Sequence, residues 1–120
     1  MENRWSDLDA EAAIERYTRQ GVNLDVALRI YSSRLLGAEP KLVIHGGGNT
    51  SAKLKGKDPL TGQEVDVLWV KGSGGDLGTM KLDGFATLYM EKFKALERFY
   101  SDPNSDSVLV PLYSHCTFDL

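Results

Sequence analysis

Leu42-Val43-Ile44-His45-Gly46-Gly47-Gly48-Asn49-Thr50-Ser51-Ala52-Lys53 sets three consecutive glycines and an Asn-Thr-Ser run after a short apolar segment. Ordering three adjacent glycines is entropically costly, so the triplet asks for a reason. A tight turn, a nucleotide loop and a seat for another anion are the candidates. The segments on either side decide among them.

Upstream, Ala10, Ala13, Ile14 and Tyr17 recur at helical spacing before Gly21, a helix stop. Asn23 suits an N-cap and Asp25 a first turn, and Leu24, Ala27, Leu28, Tyr31 and Leu35 form a second apolar stripe ending at Gly37 and Pro40. Downstream, Leu42-Val43-Ile44 reads as a short buried strand, Thr50 to Lys55 as a second and Val65 to Val70 as a third. The turn-forming run Gly56 to Gly62 joins the last two into a hairpin. A second glycine cluster, Lys71-Gly72-Ser73-Gly74-Gly75-Asp76-Leu77-Gly78, follows at once. Asp83 is placed as the cap of a long helix carrying Phe85, Tyr89, Phe93, Leu96 and Tyr100 on one face. Asp102-Pro103-Asn104-Ser105 breaks it, and Val108-Leu109-Val110 reads as a further strand. The layout is α/β (α+β) with an unfinished sheet, in one domain over residues 1–120.

Composition narrows the function. A net charge of −3 disfavours nucleic acid as a partner, since phosphate backbones attract basic faces. Lys53, Lys55 and Lys57 alternate along a strand and read as a solvated face, with attraction of a small anionic substrate as the alternative. A lone cysteine, Cys116, excludes an internal disulfide, and no apolar run approaches the ~20 residues of a membrane span. These features give a cytoplasmic expectation without a membrane partner.

Two glycine-rich loops, each after a strand, let backbone N–H groups converge on an anion where no Cβ intervenes. Neither is a Walker loop: Gly56-Lys57 runs into Asp58, not Ser or Thr. Gly72-Ser73-Gly74 begins a dinucleotide fingerprint, but the register position holds Leu77. Lys41 to Asn49 resembles the His-Gly-Gly-Gly loop of amino-acid kinases, where the loop enters a helix; here a hairpin pattern follows.

Taken together, Gly48-Asn49-Thr50-Ser51 and Val70-Lys71-Gly72-Ser73-Gly74, separated by a hairpin, resemble the class II aldolase/adducin family in its N-terminal part. The fuller wording is similar to the aldolase half of bifunctional rhamnulose-1-phosphate aldolase/short-chain dehydrogenase proteins. The resemblance implies a zinc-dependent lyase that cleaves a ketose 1-phosphate into dihydroxyacetone phosphate and an aldehyde. It implies a sheet flanked by helices, a homo-oligomer and a longer parent protein. It assigns the sugar phosphate to Gly48, Asn49, Ser51, Ser73 and Gly74. Family zinc ligands and the acid/base carboxylate fall beyond the matched region. No catalytic residue or metal ligand is therefore placed here, and His45 and His115 are read as structural. The chain alone is expected to lack aldolase activity. A non-catalytic adducin-like interaction module and a kinase-like nucleotide loop stand as alternatives.

Overall fold

A computed structural model describes residues 2–44, 46–72, 75–100 and 106–118. It divides into two compact units, Met1–Ala52 with Val70–Phe85, and Lys53–Trp69 with Ala86–Leu120.

The first unit starts with α1 (Asp7–Thr18) and α2 (Leu24–Gly37). Ser6 Oγ accepts from Asp9 N–H at 3.3 Å, and Asn23 Oδ1 from Asp25 N–H at 2.7 Å. Each cap satisfies an orphan donor of the first turn, where Asp7 and Asp25 also meet the positive end of the dipole. Gly21, at φ +80°, ends the first helix in the left-handed region. Ala10 and Tyr17 are buried, as the spacing predicts. The second stripe is rotated. Val26, Ala27, Ile30 and Ser33 are the buried residues of α2, while Leu24 lies at the exposed N-terminus.

The central pair of strands is β1 (Ser51–Lys57) and β2 (Glu64–Lys71), in a sheet of order β1-β2-β3. Asp58 N–H bonds Gln63 O at one end and Lys71 N–H bonds Thr50 O at the other. These two bonds fix an antiparallel register that places Lys55 across from Asp66. The connecting turn is held by Asp58, whose Oδ1 accepts from Leu60 and Thr61 N–H. Lys53, Lys55 and Lys57 share the exposed face of β1. There Lys55 Nζ meets Asp66 Oδ1 at 2.5 Å, which raises the amine's pKa and lowers the carboxyl's.

Three expected elements are replaced. Leu42 to Ile44 is irregular, with Leu42 and Ile44 exposed. Leu42 and Val43 N–H both turn back to Glu39 O, so they donate to no strand. The long helix from Asp83 is β3 (Phe85–Tyr89), followed by α3 (Met90–Ala95) and a 3-10 turn (Leu96–Phe99). Asp83 itself lies inside the 3-10 turn Leu82–Gly84. Phe-Ala-Thr-Leu-Tyr carries β-forming residues, and a partner strand decides the ambiguity in favour of the sheet. Val108 to Val110 falls in α4 (Asp106–Leu109) and the 3-10 turn Val110–Cys116, where Pro111 sits at the turn's start and cannot donate to a ladder. The break at 102–105 lies outside the described residues.

In the second unit, Phe118 N–H bonds Thr87 O at 2.8 Å, and Leu88 bridges Thr117 antiparallel. Tyr89 packs edge-on to Phe118 with ring centroids 5.1 Å apart. Its hydroxyl donates to Asp58 Oδ2 at 3.0 Å, tying β3 to the hairpin turn.

Candidate anion site at the two glycine loops

An antiparallel hairpin brings the residues just before its first strand beside those just after its second. Here those residues are the two glycine clusters, both in the first unit. Thr50 and Lys71 are the last hydrogen-bonded pair before the loops diverge.

The first loop is shaped by glycines. Gly46 and Gly48 take φ of +80° and +87°, conformations that L side chains resist. At Gly48 an added Cβ would also lie 2.9 Å from Leu77 Cδ2 and 3.1 Å from Val43 Cγ1. The glycine is needed twice over, for its dihedral and for the space. Gly47 N–H bonds Ile44 O at 2.8 Å, and Gly46 N–H donates to Asp76 Oδ1 at 3.3 Å. The second of these bonds links the two loops directly.

Asn49 is exposed, and its Oδ1 accepts from Thr50 N–H at 2.8 Å. With the oxygen so engaged, its amide NH2 keeps two donors for a ligand. Among the described residues, neither this NH2 nor the N–H groups of Gly48 and Asn49 meet a protein acceptor. Ser51, the first residue of β1, is exposed one step further on. Thr50 is held instead: its hydroxyl shares a 3.0 Å hydrogen bond with Ser33 of α2.

The second loop rests on α2. A Cβ built on Gly37 would lie 2.2 Å from Gly78 N and 2.5 Å from Leu77 C. The helix C-terminus and the 3-10 turn Leu77–Thr79 therefore meet backbone to backbone. Leu77, 4% exposed, reaches from that turn beneath Gly48. Ser73 and Gly74 lie outside the described residues. Gly48 and Asn49 lie in the first loop and Ser51 at the start of β1, and contacts to Asp76 and Leu77 tie that loop to the flank of the second.

Three contributors escape the sequence reading. Gly37 and Gly78 are far apart in sequence and look like ordinary helix and loop glycines. Lys71 ends β2 with its side chain buried at 8% exposure, and its Nζ donates to Gly72 O at 3.2 Å. Among the described residues, that carbonyl is the acceptor its ammonium meets. A lysine placed at the strand end just before a glycine loop is the signal that could have found it.

Asn49 and Thr50 enter a strand, so the first loop is not backed by a helix N-terminus as a kinase-type loop is. Among the described residues, no three His, Cys, Asp or Glu side chains converge to hold a metal. His45 is outside them, and His115 is exposed in the turn Val110–Cys116. The described residues do not fit a zinc centre.

Over 99% of its length the chain superposes on the N-terminal class II aldolase domain of a conserved protein from Thermoplasma acidophilum, with a TM-score of 0.74 and 29% identity. The chain has a class II aldolase-like fold. It spans 48% of that Thermoplasma chain. It is also 41% identical over 90 residues to YuxG of Bacillus subtilis, described as an uncharacterized oxidoreductase. That match takes in 75% of this chain and 13% of the Bacillus protein. No protein-family model matches the sequence. The aldolase-like fold accounts for the helix pair, the hairpin and the pairing of the two loops.

No helix among the described residues is long and apolar enough to cross a membrane.

Proposed function

We propose that this chain supplies the phosphate-binding part of a class II aldolase acting on a ketose 1-phosphate of the rhamnulose-1-phosphate type. In this reading the two glycine loops hold the phosphate, and the parent protein splits the sugar phosphate into dihydroxyacetone phosphate and an aldehyde. The observation that carries it is the state of Asn49. Its oxygen is committed to the neighbouring backbone, and among the described residues its NH2 and the N–H groups of Gly48 and Asn49 meet no protein acceptor. Several convergent neutral donors are what a phosphate dianion needs, and each charge-assisted bond contributes about 1.5–3 kcal/mol. Ser51, Ser73 and Gly74 complete the assigned set, and Lys71 adds a positive charge.

The catalytic metal and its ligands belong, in this reading, to the rest of a longer protein. The exposed Phe93, Tyr100, Val108, Val110 and Tyr113 of the second unit suit a surface that further aldolase structure covers. An oxidoreductase name on a relative of which the chain spans 13% is in keeping with an additional dehydrogenase domain in such proteins. The parent works in the cytoplasm as a homo-oligomer.

Calorimetric titration of the chain with dihydroxyacetone phosphate and with ATP tests this. Saturable binding of the triose phosphate, competed by inorganic phosphate, is the expected result. Tight ATP binding without a triose-phosphate response would overturn it. The chain alone should show no ketose-phosphate cleavage with added zinc.

A further inference from the structure

Between α1 and α2 runs a groove of about 510 Å3, wholly within the first unit, that meets the support of the second glycine loop at Gly78. Its floor is apolar, with Ala13 and Ile30, and its walls include Tyr17 and Tyr31. Arg16 and Arg34 line it as well. Arg4 and Arg19 each have a carboxylate partner, Glu39 and Glu15 respectively. Among the described residues Arg16 and Arg34 have none. Arg16 is instead held over the Tyr17 ring, its guanidinium carbon 5.6 Å from the centroid.

Two guanidinium groups without a carboxylate partner among the described residues thus line one apolar, aromatic-walled groove. The volume falls in the range of small-molecule sites, about 300–1,000 Å3, in which apolar lining is combined with a few polar anchors. Guanidinium forks match carboxylate and phosphate oxygens and also stack on flat rings. We propose that the α1–α2 groove binds an organic anion with a flat apolar body, its ring against Ile30 and the tyrosines and its anionic group between Arg16 and Arg34. The proposal does not rest on the sugar-phosphate reading, although the groove shares Gly78 with the support of the second glycine loop.

The test is amide-resolved NMR of the chain titrated with 2-naphthoate, its neutral analogue 2-naphthamide, and inorganic phosphate. Saturable 2-naphthoate shifts are expected at Ala13, Ile30, Ala38 and Gly78, which line the groove or its end. The neutral amide should bind about tenfold more weakly, the loss expected for one charge-assisted hydrogen bond. Arg16→Gln and Arg34→Gln should each cost a similar factor, with Arg34→Lys recovering part of it. Both arginines are exposed, and the ligand-side comparison needs no variant at all. Three results would overturn the proposal: equal affinity for the acid and the amide, 2-naphthoate shifts confined to Gly46–Ser51, or no saturation at millimolar concentration.

Discussion

In the first unit Gly37 and Gly78 set backbone against backbone, whereas in the second unit Gly56 faces side chains, Val67 Cγ2 at 2.8 Å and Phe118 Cζ at 3.1 Å from a built Cβ. Side chains can turn away, but a helix terminus and a 3-10 turn cannot both retreat without moving the loop they support. The first unit is therefore built to hold a loop in place, and the second to pack a hairpin.

Gly37→Ala should be the most damaging change, with a stability loss of about 3 kcal/mol by chemical denaturation, the upper end for forced overpacking. A fully stable Gly37→Ala protein would remove the claim that α2 fixes the second loop. Gly48→Ala should cost about 1–2 kcal/mol, the strain of a left-handed non-glycine residue, and should abolish phosphate binding as the loop shifts off Leu77. Gly56→Ala should cost less, about 1 kcal/mol, because Val67 and Phe118 can adjust. If Gly56→Ala proved costlier than Gly37→Ala in the same denaturation series, the contrast between the units would be reversed.

The smallest effect concerns pH and belongs to the hairpin. Backbone N–H bonds from Thr61 and Leu60, with a lesser contribution from Tyr89, hold Asp58 below its ordinary value of 3.8. A depressed folded pKa means that the native state binds this proton less readily than the unfolded chain. Its stabilisation is present above 3.8 and is lost as pH falls below that value through the depressed one. Asp58→Asn should flatten the contribution of this turn to acid unfolding, as followed by circular dichroism. An unchanged acid limb would remove Asp58 as its source.

Much of this was legible in the sequence. Ser6 apart, the caps and stops of the helix pair were visible as Asn23, Gly21 and Gly37, and the hairpin as two strand runs around a dense turn. That the two glycine clusters act together was implied by the family resemblance, and the hairpin is what sets them side by side. What failed was decided by tertiary partners. Leu42-Val43-Ile44 looks like a strand locally, yet its first two N–H groups close a turn on Glu39. Phe85, Tyr89 and Phe93 satisfy a helical stripe and an alternating strand equally well until β2 supplies a neighbour. The rotation of α2 was missed because Ile30 and Val26 carry the burial while the showier Leu24 does not. At the site, Asn49 could be named from the sequence, but not that its oxygen would be spent on Thr50. Lys71 stayed hidden because its burial is a property of the packed loop.

The most direct measurement is an amide-resolved titration with inorganic phosphate on the chain and on Asn49→Asp. Aspartate keeps an oxygen for Thr50 N–H and replaces the two outward donors with negative charge. The account predicts saturable shifts at Gly48, Asn49 and Thr50 in the original chain, and at least about tenfold weaker binding in the variant, equivalent to one charge-assisted bond. Undiminished phosphate binding by Asn49→Asp, or shifts that avoid Gly46–Ser51 altogether, would contradict it.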